Sequence, residues 1–200
     1  MKIRSEGLRP ETRGRLLVSG LFALFFLPIA VAWYLNIKMP DWLPSGRTNH
    51  GTLVEPPVRL ETEGMRSVEG RRVDASLFKG KWTLLYAAES SCRATCEKAL
   101  YKMRQARFAL GEDMQRIQRL TVFPVDAADG LAKKVEGLDA ALMVVSADAP
   151  WMERFKAGGG AAEIFLVDPQ GYLIMWYPQD ANPSGLIKDL ERLLRISKIG

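Results

Sequence analysis

The chain contains two cysteines, and both fall in one short stretch, Ser91-Cys92-Arg93-Ala94-Thr95-Cys96. That stretch follows an apolar run expected to be a buried strand and opens a pattern expected to be helical. A helix N-terminus carries unsatisfied N–H groups and roughly half a positive charge, which favours thiolate over thiol in the first turn. Arg93 adds a cation while Glu89 and Glu97 oppose it, and the expected balance favours the Cys92 thiolate. Positions i and i+4 of a helix have Cα atoms about 6 Å apart, near the upper end of what a disulfide accepts. Oxidation is therefore expected to strain or unwind the first turn. Two thiolates so placed also reach a soft metal ion at ~2.3 Å each, which suits Cu(I). A structural zinc site needs four ligands, and the domain offers no second pair. Four readings of Cys92 and Cys96 stay open: redox exchange, Cu(I) binding, a structural disulfide of an exported domain, and packing without chemistry.

Other residues with chemistry to offer are few. Met103 lies seven residues after Cys96, on the same helix face, where a thioether ligand and core packing compete and packing is favoured. Met152 carries a similarly small weight as a ligand. The one histidine, His50, falls among prolines and glycines and is expected to be solvated. Gly158, Gly159 and Gly160 form a run expected either to be a mobile loop admitting a partner or a plain connection.

The elements that must position these residues alternate between strand-like and helical patterns, which argues for an α/β domain. The strand candidates are Trp82 to Ala87, Leu120 to Val125, Leu142 to Ser146, Glu163 to Val167 and Tyr172 to Tyr177. The helix candidates are Cys92 to Leu110, Leu131 to Glu136 and Pro183 to Ile196. Asp168-Pro169-Gln170-Gly171 has turn chemistry and predicts an antiparallel hairpin between the last two strands. A mixed sheet ending in hairpin and then helix is the order found at the end of a thioredoxin fold.

Ahead of the domain, Leu16 to Leu35 runs about twenty residues without a charge, enough at ~1.5 Å per residue to span a ~30 Å hydrocarbon layer. Basic residues crowd its N-terminal side, and Trp33, Tyr34 and Trp42 stand where an interfacial belt belongs on the other. This predicts a cytoplasmic tail at 1–15, a single-pass anchor at 16–35, and everything beyond outside the cytoplasm, in the periplasm of a cell with an inner membrane. A cleaved signal peptide, with Ala30-Val31-Ala32 as its site, is the competing reading. Residues 36–57, with Pro40, Pro44, Pro56 and Pro57, are expected to be an extended linker leading to a domain at 58–200. Of the net charge of +5, the tail supplies +3. The rest is spread with both signs interleaved, which argues against nucleic-acid binding.

The chain resembles the Sco/SenC family of membrane-anchored thioredoxin-fold proteins that help assemble the copper centre of cytochrome oxidase. The resemblance is carried by Phe78-Lys79-Gly80-Lys81-Trp82-Thr83-Leu84-Leu85-Tyr86, by the C-x-x-x-C of Cys92 and Cys96, and by Ile164-Phe165-Leu166-Val167-Asp168-Pro169-Gln170-Gly171. It implies a thioredoxin-like mixed sheet flanked by helices behind one transmembrane helix. It further implies Cu(I) as cargo, Cys92 and Cys96 as catalytic and metal-binding residues, and a cytochrome oxidase subunit as partner. The family completes its copper site with a histidine shortly before the hairpin aspartate, where this chain has Gly160. Its cysteine motif usually carries prolines where Arg93 and Glu97 stand here. Peroxiredoxins would want threonine at Glu89, and disulfide oxidoreductases a proline just before Ile164, where Ala161, Ala162 and Glu163 stand. A non-catalytic module that kept the fold and lost the copper site is the alternative from a different functional class.

Overall fold

The computed structural model describes residues 10–38, 48–88, 92, 94–127, 133–135, 137, 139, 141–158 and 162–199. Glu89, Ser91, Arg93, Gly159, Gly160 and Ala161, and much of the expected tail, linker and helix at 131–136, lie outside these residues. The chain divides into two compact units, Met1–Arg47 and Thr48–Gly200.

The described residues of the first unit form one helix, α1 (Pro10–Lys38), within which Gly14–Lys38 is long and apolar enough to cross a membrane. It extends past the expected 16–35 at both ends, because helical hydrogen bonding does not stop where the charges begin.

The second unit is a seven-stranded mixed sheet. Its strands are β1 (Thr52–Arg59), β2 (Met65–Ser67), β3 (Trp82–Ala87), β4 (Ile117–Pro124), β5 (Met143–Ala147), β6 (Ala162–Val167) and β7 (Tyr172–Pro178). Their spatial order is β1-β7-β6-β3-β4-β5-β2. The centre β3, β4, β5 is parallel, and β6, β7, β1 and β2 join antiparallel. Among the described residues its α-helices include α2 (Ala94–Ala109), the short α3 (Ala149–Met152) and α4 (Pro183–Ile196), and residues 133–135 are helical as well.

Alternating side chains of the strands feed two cores, as a sheet covered on both faces requires. On one face Trp82, Leu84, Tyr86, Ile117 and Phe123 pack with Cys92, Cys96, Met103, Leu186 and Leu190 from the α2 and α4 side. On the other face Leu85, Leu120, Val122, Phe165 and Val167 pack with Leu60, Phe78, Trp151 and Phe155. The expected β6–β7 hairpin is present. Asp168 Oδ1 accepts from the N–H groups of Gln170 (2.9 Å) and Tyr172 (2.8 Å), and Gly171 supplies the positive φ of 90° that the turn needs.

Three expectations are corrected. The domain starts at Thr48, not Val58, because β1 runs through Pro56 and Pro57. A proline has no N–H to give a ladder, so it is confined to edges and bulges. Here both prolines lie on the edge strand, in the stretch between Leu53 and Val58 where the register with β7 shifts. The helix expected from Cys92 begins at Ala94, leaving Cys92 ahead of it. The strand expected from Leu120 begins at Ile117, and so takes the charged Arg119 into its interior.

Arg119 is 3% exposed and faces the α2 side of the sheet, where its Nη1 and Nη2 donate to the Asp139 carboxylate. This pairing holds the Asp139 carboxyl below its ordinary range, the hydrogen bonds from Arg119 being the main cause. A carboxylate with a depressed folded pKa contributes stability above its unfolded value and loses it as pH falls through the folded one. The thermal midpoint is therefore expected to drop as pH is lowered below about 4, and Asp139→Asn is expected to flatten that dependence. A variant with the unchanged acid slope would exclude Asp139 from the response.

Candidate functional site

The site is built at the C-terminal end of β3, where the chain leaves the sheet and enters α2. β3 is buried at five of its six positions, which fixes the direction in which the chain emerges. Ala88 N donates to Val122 O at 2.8 Å, continuing the link to β4 just past the end of β3. Cys92 and Cys96 follow as a disulfide, with Cα atoms 5.0 Å apart. Cys92 stands before the helix and Cys96 in its first turn. That arrangement brings the two Cα atoms closer than the helical i, i+4 separation and within the range a disulfide accepts. Both residues are buried, at 4% and 1% exposure, among the side chains of the α2-side core.

Lys134 was not expected here. Its Nζ donates to Cys92 O at 2.9 Å and pairs with Glu97 Oε1 at 2.7 Å, so one ammonium touches the residue before the helix and the neighbour of Cys96. No sequence signal singles it out, because Lys134 and Cys92 are far apart in the chain. Beside the first turn of α2, a groove is lined by Ala94, Glu97, Lys98, Tyr101, Lys102 and Pro183.

Among the candidate ligands, Met103 is fully buried in the same core as the cysteines, in agreement with its packing role. Met152 packs against the core on the opposite face of the sheet, which separates it from the sulfurs. Among the described residues no three His, Cys, Asp or Glu side chains gather into a group able to hold a metal ion. Once the disulfide is reduced, the two cysteine sulfurs would be a donor set that suits a low-coordinate Cu(I) better than a harder cation.

His50 remains exposed, as expected, with 48% of its side-chain surface open, yet it also has a partner. Its Nδ1 donates to Asp189 Oδ1 at 3.0 Å, its backbone N–H reaches Asp189 Oδ2 at 2.8 Å, and the Gly51 N–H reaches the same oxygen at 2.9 Å. Tyr177 Oη donates to Asp189 Oδ2 at 3.0 Å. Burial, reinforced by that carboxylate, pushes the Tyr177 phenol far above its ordinary pKa. Close approach makes the cluster possible. A Cβ on Gly185 would lie 2.8 Å from His50 Cβ, and one on Gly51 would lie 2.6 Å from Met175 Sδ. A legible signal did exist for Asp189: it shares the apolar stripe of α4 with Leu186, Leu190 and Leu193, where a carboxylate is out of place unless paired.

A thioredoxin-like fold with a vicinal cysteine pair where a strand runs into a helix defines the class of this protein. The family model described as "Transmembrane-like, thioredoxin-like, C-terminal domain" matches residues 82–197, and the chain belongs to that family. Among solved structures, apo Sco1 from Thermus thermophilus shares 19% identity at a TM-score of 0.56, covering 74% of this chain and 99% of its own. Yeast Sco1 with copper bound gives 13% and 0.55, covering 70% of this chain and 92% of that one. Arabidopsis thaliana ScoI with copper bound gives 15% and 0.54, covering 70% and 98%. At these identities the likeness is one of fold. No curated protein matches the chain.

Proposed function

We propose that this protein is a membrane-anchored factor for cytochrome oxidase assembly that acts outside the cytoplasm through Cys92 and Cys96. It exchanges disulfides with an oxidase subunit or carries Cu(I) to it as cargo. The observation that carries this reading is the closed Cys92–Cys96 disulfide at the mouth of α2, in the fold shared with copper-bound Sco1 and ScoI. The apolar helix at Gly14–Lys38 supports single-pass anchoring.

In the reductive direction, the Cys92 thiolate attacks one sulfur of a partner disulfide, forming a mixed disulfide and releasing the other partner sulfur as thiolate. Cys96 then attacks the Cys92 sulfur and forms the intramolecular disulfide seen here. It expels the second partner thiolate, so two electrons pass from the dithiol to the partner. With the dithiol open, the same two sulfurs would hold Cu(I), and closing the disulfide, with a partner disulfide accepting the two electrons, would release it.

The test is anaerobic titration of the reduced full-length protein in detergent with Cu(I) against a competing chelator. One ion per chain, lost in Cys92→Ser, is the expected result. No competitive binding would remove the cargo role and leave exchange alone. The burial of both cysteines favours a second reading, a non-catalytic interaction module with a structural disulfide. Slow alkylation of the reduced pair near neutral pH would support that module, and fast alkylation the dithiol.

A further inference from the structure

We infer that Lys134 is a positioning residue for the cysteine pair, strapping the two ends of the disulfide loop together and favouring the disulfide over the dithiol. The inference rests on the thiol–disulfide reading above. A full helix over Cys92 would place its carbonyl on the Cys96 N–H, the i to i+4 bond of an α-helix. In the disulfide form Cys92 is not helical, and its carbonyl accepts from Lys134 Nζ at 2.9 Å. The ammonium thus supplies a charge-assisted bond to a backbone group that disulfide closure holds outside the helix. Its second bond, 2.7 Å to Glu97 Oε1, fixes the other end of the loop, next to Cys96.

The strap is anchored from behind. Val135, the next residue, is fully buried, and its carbonyl accepts from Asp139 N at 3.1 Å. Asp139 in turn is held by the buried Arg119 of β4. Lys134 is therefore carried on a segment pinned to the sheet, so the loop it binds is held by the core. The two contacts differ in weight. Lys134 and Glu97 are 47% and 44% exposed, and such an ion pair contributes little. The bond to the Cys92 carbonyl is the larger contribution.

The experiment equilibrates the full-length protein in detergent with mixtures of reduced and oxidised glutathione. Two glutathione thiols reduce the Cys92–Cys96 disulfide to the dithiol and leave as glutathione disulfide, which balances the two electrons and two protons. Lys134→Met is expected to shift the equilibrium toward the dithiol by about threefold to tenfold. Lys134→Arg should restore it to within about twofold, since a guanidinium can make both bonds. Glu97→Gln should shift it in the same direction but less. A Lys134→Met constant equal to that of wild type, or an equal shift in Lys134→Arg, would overturn the inference while leaving the redox reading intact. A wild-type disulfide that never exchanges with glutathione would overturn both.

Discussion

Asp189→Ala is expected to destabilise the unit from Thr48 onward by about 2–4 kcal/mol, because buried donors left without their acceptor cost about 1–3 kcal/mol each. The carboxylate is 3% exposed and accepts from the His50 and Gly51 backbone, from His50 Nδ1 and from the Tyr177 phenol. Alanine would leave the Tyr177 hydroxyl only the weakly accepting Met175 sulfur, 3.0 Å away, and would release the start of the domain from α4. Asp189→Asn is expected to cost less, because one amide oxygen can still accept. Urea denaturation of the full-length protein in a detergent that keeps the apolar helix solubilised checks both variants. A loss below about 1 kcal/mol for alanine would mean that water replaces the cluster. The same reasoning predicts that a fragment cut at Val58 is a poor substitute for the protein. It would lack six of the eight residues of β1 and both backbone donors to Asp189.

The second large effect concerns the cysteines, and it is asymmetric. Cys92→Ser is expected to reduce disulfide exchange with a partner by about a thousandfold or more, since serine is not a nucleophile toward sulfur at neutral pH. Cys96→Ser is expected to leave attack possible but resolution impossible, so that a mixed disulfide through Cys92 accumulates. Non-reducing electrophoresis of trapped complexes from each variant reads the difference. Trapping through Cys96 in the Cys92→Ser protein would reverse the assigned order of attack, and oxidase assembly at wild-type level in both variants would remove the cysteines from function.

The apolar helix, the alternation of strands and helices, the D-P-Q-G hairpin and the cysteine pair were all legible in the sequence, because each is a local pattern. A charge-free run, a period of two or 3.6, and a proline–glycine turn are written within a few residues of the chain. β1 was not legible, since Pro56 and Pro57 deny a central strand and only the sheet order reveals that they lie on an edge. Arg119 pushed the expected start of β4 too late. A buried arginine is acceptable only once Asp139 is known to meet it.

What the sequence by itself determined is therefore the kind of protein: an apolar helix ahead of an α/β domain, with two thiols placed where a strand runs into a helix. What the tertiary structure alone decided is how those thiols are held and how the domain is closed. Lys134 reaches Cys92 across 42 residues, and Asp189 reaches His50 across 139. Such contacts join polar groups whose partners no local spacing encodes. At the buried ends of these contacts, Cys92 and Asp189, water is excluded, and each depends on a partner that only the folded chain brings within about 3 Å.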